Sequence, residues 1–280
     1  MITEKANLII NSFNLMGYDA MGIGDDDLSL GKEFLLEISK KASFPFLSSN
    51  VFDEESGKPL FSPYILKKIN GMRIGIFSLL SPDVFPGQED QRRKGLAFRS
   101  PAETAQSMVK ELQPKSDLII LLSHLGYPKD NELAQAVSGI HIIIGSHTGM
   151  NLRHPGLINN KTIILQTGPK GMNAGELDLT FYNHEPTFYN TVTRQTMEQN
   201  LKTLSARLNE GKGSEADRAQ WSKMKDQMEQ NLKQLHGKNA FTNTVILLSE
   251  QMKNHPEIAK IIEAFRSKFP EPEKSQLPKQ

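Results

Sequence analysis

Three places in the chain carry side chains able to hold a divalent cation. Asp25, Asp26 and Asp27 follow a short apolar segment, His124 follows the apolar run 117–123, and His147 sits in Gly145-Ser146-His147-Thr148-Gly149. Imidazole mixed with carboxylate suits Zn, Mn or Fe. Two imidazoles and a carboxylate at neighbouring strand ends can converge on one such ion, which would polarise a phosphoryl oxygen and lower the pKa of a bound water. Spacing alone also fits a plainer arrangement, in which each histidine caps a strand end or fills a turn and the acidic triplet is solvated. Cysteine is absent, which removes disulfides, thiolate metal sites and a cysteine nucleophile.

The elements that must position these residues follow from periodicity. Thr3 is a candidate cap for a helix reaching Met16, with Ile9 and Phe13 one turn apart. A short strand over 18–23 leads into the acidic loop, and Ser29 is a candidate cap for a helix carrying Phe34, Leu35 and Ile38. Residues 44–51 read as a strand, and 64–69 and 72–80 as a hairpin turned by Asn70-Gly71, both tolerant of positive φ. Ser100-Pro101-Ala102-Glu103 combines a cap, a first-turn proline and a capping box. The apolar strands 117–123 and 140–145 suit burial on both faces, with a helix over 131–137 between them. Strands over 162–166 and 176–182 follow. Strands alternating with helices predict an α/β fold, layered in the α+β manner around a mixed β-sheet because hairpins are interspersed.

Beyond Asn190 the texture changes. Met197, Leu201, Leu204 and Leu208, then Trp221, Met224, Met228, Leu232 and Leu235, recur at helical spacing on either side of Gly211-Lys212-Gly213-Ser214. This predicts an antiparallel helical hairpin over 196–236, a surface suited to packing or to a protein partner. A strand over 244–248, a helix over 257–268 and a disordered Pro- and Lys-rich tail complete the reading. The predicted units are a core over 1–190, the hairpin with its returning strand and final helix over 191–269, and the tail over 270–280.

With 33 basic against 32 acidic residues, the charge balance does not suggest a nucleic-acid surface. No apolar run approaches the roughly 18 residues that span a bilayer, and Met1 is followed by a polar, amphipathic segment rather than the apolar core of a signal peptide.

Taken together, the segments resemble the 5′-nucleotidase branch of the calcineurin-like metallophosphoesterases. Residues 17–27, GYDAMGIGDDD, resemble that family's G-Y-D-A-x-x-x-G-N-H-E block, and Phe44 to Val51 its F-P-x-L-x-A-N-V strand. Pro63-Tyr64 with Gly71 to Gly75 resembles its P-Y…G-x-x-I-G hairpin, and Ser123-His124-Leu125-Gly126 its S-H-x-G motif. Gly139 to Thr148 is similar to its G-I-D-x-I-x-G-G-H-S-H block, and Gln166-Thr167-Gly168 and Gly175 to Leu179 follow in order. The resemblance covers roughly 18–182. It implies a β-sheet sandwich flanked by helices, a two-metal centre at the sheet edge and hydrolysis of phosphoesters such as nucleotides. It also implies a periplasmic or cell-envelope setting. By position, Asp25 stands at an asparagine ligand and His124 and His147 at two histidine ligands.

The departures from the family pattern bear on activity. Asp26 occupies the position of the histidine that stabilises the transition state and leaving group, and an anion there would repel a phosphate dianion. Ser29 replaces that histidine's aspartate partner, and Gly149 a ligand of the other metal. The opening D-x-H and G-D blocks have no counterpart before Asp25, which implies truncation or loss and one metal at most. The nucleobase-binding second domain also has no counterpart. The resemblance therefore implies a metallophosphoesterase domain with substituted catalytic residues. The alternative is a non-catalytic relative serving binding or scaffolding, or a fold fragment without independent activity.

Overall fold

The computed structural model describes residues 1–270 apart from Gln88 and Lys212, so the expected tail lies outside the described residues from 271 onward. In chain order the elements are α1 (Ile2–Met16), β1 (Met21–Gly22), α2 (Gly31–Ser39), β2 (Phe46–Leu47), β3 (Val51–Asp53), β4 (Tyr64–Ile69) and β5 (Met72–Leu80). Next come β6 (Leu96–Phe98), α3 (Pro101–Leu112), β7 (Leu118–His124), α4 (Tyr127–Ala136), β8 (Ile142–Gly145), β9 (Gly156–Ile158) and β10 (Thr162–Leu165). The last group is β11 (Asn173–Thr180), β12 (Phe188–Asn190), α5 (Thr191–Asn209), α6 (Glu215–Gln234), β13 (Asn239–Leu247) and α7 (Pro256–Lys268).

The central sheet runs β4-β5-β7-β8-β10-β9. Its four middle strands are parallel, and an antiparallel hairpin closes each edge. Alternation along the strands divides the side chains between two faces. Phe77, Leu79, Ile119, Leu121, Ile143 and Ile164 pack with Ala105, Val109 and Leu112 of α3 and Leu133 and Ala134 of α4. The neighbouring residues Leu118, Ile142 and Ile163 pack instead with Phe188 and Phe241 of a second sheet, ordered β11-β13-β12. A third apolar cluster joins α1 and α2 to Ile23, Phe44, Phe46 and Leu80. The mixed, layered α/β architecture is thus the one predicted.

Several local expectations need correction. α1 starts at Ile2 with no side-chain cap, so Thr3 lies inside the helix. Leu30, not Ser29, precedes α2, and the Ser29 hydroxyl donates to the Asp26 carbonyl at 2.5 Å. The strand expected over 44–51 is broken between β2 and β3, because its buried polar residues bond to other backbone. Asn50 donates to the Leu80 carbonyl at 2.8 Å and accepts from the Leu80 amide at 3.0 Å, while Ser49 Oγ accepts from the Ser78 amide. α4 begins at Tyr127, four residues before its expected start at 131, because Gly126 turns at φ 91 and a proline occupies the first turn. The Asn70-Gly71 turn has φ of 51 and 87 and joins two strands in direct register, and Ser100 accepts from the Glu103 amide as expected.

The helical hairpin forms from α5 and α6, with a reciprocal Ser214–Asp217 capping box opening the second helix. Leu204 is its one buried residue among those described. β13 then returns alongside β11 over eight residue pairs and runs parallel to β12.

His141, at the entry to β8, is 8% exposed, and its Nδ1 accepts from the Ile119 amide at 2.8 Å. Burial lowers its pKa from an ordinary value of 6.5 to about 4. The unfolded chain therefore takes up a proton below the ordinary value that the folded chain refuses, and stability on this account falls as pH falls through that window. Relative to a His141→Gln variant, the wild type should lose up to about 3 kcal/mol between those two pKa values, measured as the difference in urea unfolding free energy.

Candidate metal centre

The centre forms where β7 and β8 end side by side and the chain leaves both strands at their carboxyl ends, a usual place for sites in such sheets. Ser123 of β7 is level with Gly145 of β8, which brings His124 and the loop carrying His147 together. The acidic loop approaches from β1. A Cβ on Gly24 would lie 2.8 Å from His124 Cε1, so only glycine lets the loop come this close to the ring. As a result Asp25, His124 and His147 each offer a ligand atom within 4.8 Å of the others.

Their partners define how each ligand is held. His124 Nε2 stands 2.8 Å from Asp25 Oδ1, and its Nδ1 stands 2.8 Å from Ser146 Oγ. Ser146 Oγ also lies 2.7 Å from the Ser123 carbonyl, which can only accept. A hydroxyl has one proton. If that proton goes to Ser123, His124 must donate from Nδ1, and Nε2 then presents its lone pair. Burial lowers the His124 pKa, ahead of the opposing pull of Asp25, and so favours the neutral ring. Two lone pairs would then face each other across 2.8 Å. A cation reached by both atoms removes the conflict once their separation opens from the present hydrogen-bond distance of 2.8 Å toward about 3.4 Å, the spacing between ligands of a tetrahedral ion. The donor set therefore fits a divalent metal.

The second Asp25 oxygen accepts from Arg92 Nη1 at 2.8 Å, and Arg92 is itself forked onto Asp90. His147 has backbone φ 72, a left-handed conformation that costs a residue with a Cβ on the order of 1 kcal/mol. Its loop is braced by Gln166, whose amide lies 3.3 Å from Thr148 Oγ1 and, with its oxygen and nitrogen exchanged, would accept from the Gly149 and Met150 amides at 3.3 and 3.2 Å. The histidine rings lie 5.2 Å apart, centroid to centroid.

The three adjacent aspartates have three different fates. Asp25 faces the histidines. Asp26 is 96% exposed and its nearest cation is Arg92, 3.5 Å away. Asp27 turns inward to accept from the Gly24 amide at 2.7 Å, and burial raises its pKa. Sequence reasoning missed Ser146, Arg92 and Gln166 as supports. A hydroxyl directly before His147 was a usable signal for Ser146. Arg92 is 67 residues from Asp25 and no spacing rule connects them.

No protein-family model matches the chain. It is 30% identical over 217 residues to a 5′-nucleotidase of Vibrio cholerae, covering 67% of this chain and 39% of that protein. To the protein UshA of Escherichia coli it is 32% identical over 159 residues, covering 52% and 29%. The chain thus spans less than half the length of these curated relatives. Among solved structures, a 5′-nucleotidase precursor from Thermus thermophilus superposes with a TM-score of 0.67 at 22% identity, covering 95% of this chain and 46% of that one. The calcineurin-like phosphoesterase YfkN from Bacillus subtilis gives 0.65 at 16% identity, covering 95% and 75%. Similar in sequence over two thirds of its length and in fold over nearly all of it, the chain belongs to the calcineurin-like metallophosphoesterases of the 5′-nucleotidase type.

Proposed function

We propose that this chain holds one divalent cation on Asp25, His124 and His147 and binds a phosphoester, of the nucleotide class, against it. The observation that carries the reading is the convergence of Asp25, His124 and His147, whose ligand atoms all lie within 4.8 Å of one another, with Ser146 placed to orient the His124 ring. The similarity to 5′-nucleotidases supports the substrate class. A bound cation supplies a Lewis acid for a phosphoryl oxygen.

The protein's own residues set the order of events. Asp25, Asp26 and Asp90 all pair with Arg92, and Arg93 acts on Asp90 as well, so the carboxylates outnumber the cations beside them and negative charge is in excess. A divalent cation offsets that excess. Without it, a phosphate dianion is repelled, so cation binding precedes substrate binding. In a titration calorimeter, AMP should give no binding heat with EDTA present and a saturable heat once Mn2+ is added.

Asp26 favours a second reading, binding without turnover. It stands where the family resemblance implies a cationic or proton-donating histidine, and an exposed carboxylate supplies neither function. Hydrolysis of AMP and p-nitrophenyl phosphate with added Zn, Mn or Fe separates the two readings. Turnover that disappears in His124→Ala supports the hydrolase. Metal and AMP binding without turnover supports the binding domain. If neither metal nor AMP binds, and His124→Ala plus His147→Ala behaves as wild type, the proposal fails.

Ser146→Ala removes the hydrogen-bond partner of His124 Nδ1. Removing such a ring-orienting partner typically weakens metal affinity about 10- to 100-fold. A Mn2+ titration followed by electron paramagnetic resonance should show a loss of that size with the fold intact.

A further inference from the structure

Asp130 lies in α4 beneath the centre and is 0% exposed. Its Oδ1 accepts from Ser123 Oγ at 2.5 Å, whereas Oδ2 is buried with no hydrogen-bond partner. Burial raises its pKa to about 6. A buried carboxyl with one oxygen unsatisfied is unfavourable, and a small apolar residue at this helical position would avoid the penalty. Its surroundings suggest why an acid stands there.

The carboxyl sits between β7, which ends at His124, and the end of β8, from which the loop carrying His147 departs. On one side is Ser123, the residue before His124, whose Oγ also accepts from the Leu125 amide at 3.2 Å. On the other is Gly145, where a Cβ would stand only 2.6 Å from Asp130 Oδ2. Gly145 immediately precedes Ser146, which bonds to the Ser123 carbonyl and meets His124 Nδ1. His147 follows one residue later.

We propose that Asp130 is a positioning residue: its carboxyl is wedged between the ends of β7 and β8 and sets the separation and rotation of the His124 and His147 imidazoles. Ser123 transmits the constraint to the His124 turn, and the space left at Gly145 transmits it to the Ser146-His147 loop. Asp130 itself touches neither the cation nor the substrate. The proposal rests on the reading of the two histidines as metal ligands, but the placement of the rings can be measured with no metal present.

The test compares Asp130→Ala, Asp130→Asn and Gly145→Ala in the full chain by two measurements. One is a Co2+ titration followed by visible absorption. The other is the set of 15N-correlated imidazole resonances in metal-free protein. Asp130→Ala should weaken Co2+ binding about 10- to 100-fold and change the visible spectrum, as should Gly145→Ala, whose added methyl displaces the carboxyl. Both variants should also shift the His124 and His147 imidazole signals. Asp130→Asn keeps an acceptor for Ser123 and should restore most of the affinity and the wild-type ring signals. If Asp130→Ala lowers only the melting temperature and leaves Co2+ affinity and ring signals unchanged, the proposal is overturned. If the wild type takes up no Co2+, the metal reading fails and the ring signals alone decide the role of Asp130. If Asp130→Ala does not fold, Gly145→Ala decides it by the same measurements.

Discussion

His124 has two ring nitrogens, and each meets an oxygen that something else holds in place. On the Nδ1 side, Ser146 is tied to the backbone of β7, and on the Nε2 side, Asp25 is tied to Arg92. The ring cannot rotate without breaking one of these contacts. It also cannot satisfy both as a neutral imidazole if Ser146 gives its proton to Ser123. In that arrangement the Nε2–carboxylate contact is held together by the surroundings rather than by a shared proton. The strands, the close approach at Gly24 and the Arg92 fork all serve to keep these atoms together.

This centre depends on the architecture beneath it more than on its own loops. Parallel pairing of β5, β7 and β8 places Leu80, His124 and the end of β8 on one rim of the sheet. Asn50 clamps Leu80 by both backbone groups, which ties β3 and the acidic-loop side of the molecule to that rim. The helices α3 and α4 cover one face of the sheet and the small second sheet covers the other, so the rim has little freedom to shift.

The parts legible in the sequence were those governed by local rules. The apolar runs at β7 and β8, the Asn70-Gly71 turn and the Ser100 cap each depend on residues a few positions apart. The convergence of Asp25, His124 and His147 was legible only through the order of motifs, since their spacing also suits strand-end caps. What escaped was set by distant contacts. Ser29 looks like a helix cap, yet its hydroxyl bonds back to Asp26 because the chain first makes a 3-10 turn at Asp26–Leu28. The segment containing Phe46 to Val51 is patterned like one strand, yet Ser49 and Asn50 are drawn to β5 and break it. Asp26 and Asp27 are chemically identical in the sequence, and only packing sends one to solvent and the other into a turn.

The helical hairpin also has a topological meaning. β12 and β13 are parallel neighbours, so the chain leaving Asn190 must travel back the full length of the pair before Asn239 can align with Phe188. A parallel pair requires a crossover of a dozen or more residues, and α5 and α6 are that crossover. Two antiparallel helices return the chain near its starting point, which shortens the effective loop and lowers the entropy lost on closing it. The hairpin thus acts as a folded spacer, one that can acquire new surface chemistry while β13 keeps its place in the sheet.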